Sequence, residues 1–165
     1  MATLSIKRTG QLVRCTAGRD PRIVAHLKEA NSSTFVVGDL VYSSSGAITV
    51  CGTDPATIMG IALKAGTNTT TTNKKIPVLV LDGDTEFSMS LYHGTAASAT
   101  FSDASNQLSV AYGIVKSAAG KWAVDLSETS STRVVITDYP VQGEALGDIY
   151  MQVYCKILAA NRQVQ

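Results

Sequence analysis

The chain has 165 residues, of which 45% are hydrophobic and only 16% charged. This composition excludes a disordered chain. The length suits one domain, or one domain with a terminal arm, able to bury a core without a metal or disulfide staple. The net charge of +1 hides a division: residues 1–30 carry six bases against Asp20 and Glu29, and residues 31–165 carry eight bases against eleven acids. Sixteen Ser and eighteen Thr take the place of the missing charges. A surface of small hydroxyl residues can be covered by a neighbour without burying ions, and it equally suits the Thr-rich faces of an ordinary β-domain.

Residues 1–33 alternate poorly and contain Gly10, Gly18 and Pro21, so they are expected to form an extended basic arm ahead of a body at 34–165. Within the arm, residues 23–27 suit one short strand or helical turn. Such an arm can lie on an acidic protein surface, on nucleic acid or on a neighbouring subunit. Nucleic acid fits least, because the arm lacks aromatic residues on which bases stack.

From Phe35 the texture changes. Residues 35–37 lead through Gly38-Asp39 into Leu40-Val41-Tyr42, and Ala47–Cys51 returns after Ser43–Gly46, predicting a hairpin with a loop of about four residues. Ile58–Leu63 is the next strand, with Gly60 marking a bulge or a close approach. Residues 66–73 are a Thr-rich exposed loop. Ile76–Leu81 is a continuous apolar run, as expected of a strand covered on both faces. Asp82-Gly83 supplies a turn, after which Phe87, Met89 and Leu91 alternate with Ser88, Ser90 and Tyr92. Residues 94–108 show no period. Residues 110–116 pair with 121–125 across a short turn, and 133–136 form another strand. In the last strand Ile149, Met151, Val153, Cys155 and Ile157 face one way, and Tyr150, Gln152, Tyr154 and Lys156 the other. The pattern predicts an all-β, mainly antiparallel fold of eight or nine strands, a small β-barrel or β-sandwich with an extended N-terminal arm.

The search for chemistry yields little. Cys15, Cys51 and Cys155 are far apart and odd in number, which suits reduced, packed thiols. His26 and His93 sit in no metal motif. Asp82, Asp84 and Glu86 begin like a calcium loop, but an apolar strand starts at Phe87, where the loop's remaining ligands would be needed; a polar hairpin turn accounts for them better. There is no GxSxG elbow, no phosphate-cradling glycine loop and no evident nucleophile–base pair. No apolar run is long enough to span a membrane, and Met1–Ser5 lacks the regions of a signal peptide, so synthesis in the cytoplasm is expected. The expectation is a protein with no enzymatic activity and no cofactor or metal.

Taken in order, the strings at 35–42 (FVVGDLVY), 58–63 (IMGIAL), 76–87 (IPVLVLDGDTEF), 112–116 (YGIVK) and 122–125 (WAVD) resemble the capsid decoration, or cement, proteins of tailed bacteriophages. The resemblance covers about residues 34–158. It implies a small β-barrel or β-sandwich body with an extended arm, bound to the outside of an assembled head. Decoration proteins often sit there as trimers, bridging major capsid subunits; a dimer is the alternative. It transfers no site residues. On charge and position, Lys7, Arg8, Arg14, Arg19 and Arg22 are expected to contact the capsid, and Tyr150 and Tyr154 to lie at a subunit interface. The expected partners are the major capsid protein and further copies of the chain, with no nucleic acid and no membrane. Rival readings are a head fibre base, a tail-tube-like protein, or a carbohydrate-binding module built around Trp122 and the two tyrosines.

Overall fold

In the computed structural model, residues 13–15, 18, 20–66, 74–92, 107–117, 120–139 and 151–164 are described. The fold is all-β, and most strand pairs are antiparallel, as predicted. Among the described residues twelve strands form two sheets: β1 (Val13–Cys15), β2 (Ile23–Val24), β3 (Lys28–Glu29), β4 (Leu40–Ser44), β5 (Ala47–Val50), β6 (Gly60–Ala62), β7 (Val78–Val80), β8 (Thr85–Tyr92), β9 (Ala111–Lys116), β10 (Trp122–Asp125), β11 (Val134–Asp138) and β12 (Gln152–Ile157).

Five of these close into a barrel in the order β8-β10-β9-β11-β12, with β12 returning to β8. Closure leaves those strands few free edges. The short β1 pairs with the first half of β8, placing Arg14 opposite Glu86. The second sheet runs β2-β7-β6-β4-β5-β3. The segment read as an arm is extended where it is described, and it is also paired: β1 joins the barrel, and β2 and β3 take the two edges of the second sheet.

The apolar runs of the second sheet have a simple physical cause. Side chains alternate along a strand, and both faces of this sheet are covered. Leu40, Ile61 and Leu79 face a core shared with the barrel, where they meet residues such as Phe87, Met89, Leu91, Ile114, Val124 and Cys155. Val41, Ala62, Val78 and Val80 face a second core with Phe35, Ile48, Met59 and Ile76. Neither side of such a strand has room for charge.

Turn chemistry follows backbone need. The β4–β5 hairpin closes in two residues rather than four, because Ser45 and Gly46 both take positive φ (50° and 79°), the geometry whose twist matches the flanking strands. Gly60 allows β6 and β7 to touch, since a Cβ there would collide with the carbonyl of Leu79. The turn at Asp82-Gly83 is present, but it closes no hairpin: β7 belongs to the second sheet and β8 to the barrel, so the chain crosses between them there. The 3-10 turn at Ala159–Asn161 carries the chain back from β12 to the second sheet, where the amide of Ile58 donates to the carbonyl of Asn161 at 2.8 Å.

Candidate interaction surface

Two charge clusters lie on or between the sheets. The first is on the barrel. Arg14 Nε donates to Glu86 Oε2 at 2.5 Å, and its Nη2 donates to Asp138 Oδ2 at 2.8 Å. The guanidinium also lies over the ring of Tyr154, 3.9 Å from its centre. Lys156 approaches the other oxygen of Glu86 at 3.7 Å. Pairing at β1–β8 and β12–β8 puts these residues on one face of the barrel, next to buried Ser88, Ser90 and Gln152. Burial pulls the Arg14 guanidinium down, but hydrogen bonds and charge from Asp138 and Glu86 outweigh it and hold the group more basic than usual.

The second cluster joins the sheets. Asp39 is buried just ahead of β4 and collects three donors. The amide of Val36 reaches its Oδ2 at 3.0 Å; Trp122 Nε1 and Lys116 Nζ reach its Oδ1 at 3.1 and 2.8 Å. Lys116 also sits 5.3 Å from the centre of the Trp122 ring. A buried tryptophan needs an acceptor for its indole N–H, and a buried carboxylate needs donors, so each satisfies the other. Cys51 lies near this pair; burial pushes its thiol up to about 12, opposed in part by Lys116. Cys155 is raised as well, chiefly by burial, and donates to the carbonyl of Phe87. Both thiols are therefore protonated and packed at neutral pH.

Other acids are also occupied by the fold. Asp82 Oδ1 accepts from the amide of Asp84 and the hydroxyl of Thr85, which makes it the acceptor of its own turn. Asp54 accepts from the amide of Ile114 at 2.7 Å, and burial raises its carboxyl. Among the described residues no three His, Cys, Asp or Glu side chains converge where they could hold a metal ion. No helix of the described residues is long and apolar enough to cross a membrane. A shallow cleft of 290 Å³ is lined by Tyr42, Gly52, Pro55, Ala56 and Thr57, none of them charged.

Of the residues expected to bind a capsid, Arg14 lies on the barrel, paired with Glu86 and Asp138 while its side chain stays 43% exposed, and Arg22 is exposed beside β2, its carbonyl accepting from the amide of Val80. Lys7, Arg8 and Arg19 lie outside the described residues, as do Tyr150 and His93. Tyr154 is half-buried beneath Arg14, and Trp122 is buried. The edges and turns of the second sheet are different in kind: Ile23, Val36, Val37 and Leu63 are exposed there, together with Arg22, Lys28, Lys64, Lys74 and Lys75. The lysines were visible in the sequence only as scattered charges, because nothing local shows that Lys28 and Lys75 become neighbours. Gly38-Asp39 has the composition of a turn, which hides the role of Asp39; the signal that locates it is the single Trp, whose indole must find an acceptor if buried. Comparison with protein-family models gives no match to this chain, and comparison with curated proteins gives none either.

Proposed function

We propose that this chain is a structural virion protein that binds the outer surface of an assembled phage capsid and reinforces contacts between major capsid subunits. One observation carries the reading. Among the described residues, the buried acids and thiols are held by partners within the fold, as in Asp39 with Lys116 and Trp122 and Glu86 with Arg14 and Lys156, while the edges and turns of the second sheet carry exposed apolar and basic side chains. Such a division suits a body built to hold its shape while a partner is placed on it. The ordered resemblance to decoration proteins points the same way.

Each copy needs only modest affinity. An interface of ~1,200–2,000 Å² repeated over a symmetric shell gives large total reinforcement. Self-association, as a trimer or dimer, would add avidity at each site. Burial of Trp122 beneath Asp39 and stacking of Arg14 on Tyr154 leave those rings unsuited to a sugar platform.

The test is sedimentation of the purified chain with empty heads assembled from the major capsid protein of the same genome, after its mass in solution has been fixed by light scattering. Saturable co-sedimentation, and heads that resist heat or dilution better when loaded, are the expected results. A chain that stays in the supernatant at micromolar concentration ends the proposal. Deleting residues 1–12 removes Lys7 and Arg8 and ends before β1, so it measures what that segment contributes to binding, with the melting temperature of the shortened chain as the control for folding.

A further inference from the structure

The second sheet has one end at which charge and apolar surface meet. There β6 finishes, β7 begins, β3 lies alongside, and the turn at 35–39 folds over. The backbone brings these pieces together: the amide of Leu63 donates to the carbonyl of Pro77, that of Gly38 to Ala62, that of Gly66 to Phe35 and that of Ile76 to Leu27, each at 2.9 Å. Lys28 and Lys75 are directly opposed in an antiparallel bridge. Their side chains therefore leave the same face, with Cβ atoms about 5 Å apart, an arrangement that repels in the isolated protein. Lys64 follows Leu63 at the same end. Among the described residues none of these three lysines makes an ion pair.

The acids that would ordinarily balance them are elsewhere. Of the six acids in the described part of the second sheet and its flanks, Glu29, Asp39 and Asp82 are buried, Asp84 is half-buried in the turn that follows β7, Asp54 turns to the amide of Ile114, and only Asp20 is exposed. Beside the lysines, Val36, Val37 and Leu63 are 54%, 62% and 37% exposed. Two adjacent valines at the tip of a turn are costly to leave in water, and they do nothing for the second core beneath them, which Phe35 fills.

We propose that this end of the second sheet, formed by Lys28, Lys64, Lys75, Val36, Val37 and Leu63, is a docking face for an acidic protein surface that also carries apolar or aromatic side chains. Carboxylates of the partner relieve the Lys28–Lys75 repulsion, and its apolar groups cover the valine turn. Nucleic acid is the poorer fit, since phosphates would satisfy the lysines and leave the valines wet. The inference rests on the capsid reading only for the identity of the partner; the chemistry of the face stands on the residues themselves.

The experiment uses the full chain and three probes on a biosensor: a random copolymer of glutamate and tyrosine, polyglutamate, and duplex DNA. The copolymer is expected to bind best and to weaken as salt rises. K28E/K75E is expected to lose about tenfold or more in affinity, V37S/L63S to lose several-fold, and K28R/K75R to retain binding. Fluorescence of Trp122 and the melting temperature confirm that each variant is folded. Absence of copolymer binding, equal binding by K28E/K75E, equal binding of polyglutamate or tighter binding of DNA each overturns the proposal. Empty heads separate the two ideas. Heads that take up wild type and K28E/K75E equally remove the face and leave the capsid reading standing. Heads that take up neither, while the copolymer still binds in the expected order, remove the capsid reading and leave the face.

Discussion

Replacing Asp39 by Ala is the most direct test of how the two sheets are joined. The change strands the buried indole N–H of Trp122, removes the acceptor of the Val36 amide, and takes away the counter-ion of Lys116, whose side chain is 23% exposed. An unpaired buried donor costs about 1–3 kcal/mol, and breaking a buried ion pair about 3–5 kcal/mol. Because Lys116 can swing partly into water, the low end applies, and the expected total is about 3 kcal/mol. In a chain of this length that lowers Tm by about 6–12 °C. Asp39→Asn keeps an acceptor for Trp122 and loses only the charge, so about half that loss is expected. Urea unfolding followed by the single tryptophan gives the numbers directly, since Trp122 sits in the cluster being cut. A double-mutant cycle of D39N with K116M should show coupling of at least about 1 kcal/mol. If D39A melts within about 2 °C of wild type, or if the two changes are simply additive, the cluster is not what couples the sheets.

Arg14→Ala removes two ion pairs and the stack on Tyr154, but Lys156 remains near Glu86, so a loss of about 1–2 kcal/mol is expected, with faster amide exchange confined to Val13–Cys15 and the facing half of β8. Gly60→Ala forces a methyl into the carbonyl of Leu79 and should cost about 2 kcal/mol or more, read as a fall in Tm or in soluble yield. The thiols predict a pH dependence whose sign is fixed: a thiol raised in the folded state holds its proton when the unfolded one has lost it. The stability it contributes is therefore complete below the ordinary value of 9.0 and is lost as pH rises toward about 12 for Cys51. Between pH 9 and 10 the two buried thiols together should remove about 2 kcal/mol, and C51A/C155A should flatten that slope.

The strands were legible because alternation is a local property. Phe87, Met89 and Leu91, and likewise Met151, Val153, Cys155 and Ile157, mark a buried face wherever the partner strand lies. Gly60 was legible as a close approach for a similar reason: a glycine inside an apolar run has few other uses. The partner itself was not legible. Asp82-Gly83 has the composition of a hairpin turn, yet the chain uses it to leave one sheet for the other, because turn chemistry fixes the reversal and not the pairing. Arg14 looked like one charge of a solvent-facing arm; its partner Glu86 stands 72 residues away, across a strand pair that charge counting cannot anticipate. The lysine face was hidden for the same reason, since Lys28 and Lys75 meet only once β3 lies against the segment that leads into β7.

Both ends of the described chain cross between the sheets, and this bears on what the fold can transmit. Near the start, β1 lies in the barrel while β2 and β3 border the second sheet. Near the end, β12 completes the barrel, and the following residues return to the second sheet: Asn161 Nδ2 donates to the carbonyl of Ala56, the amide of Gln163 donates to Ile58, and Val164 packs against the second core. Asp39 reaches Trp122 and Lys116 between these crossings. Separating the sheets therefore strips backbone pairing near both ends and breaks a buried ion pair. Such a body has more to break than two sheets joined by a single linker, a property that suits the bridging role proposed above.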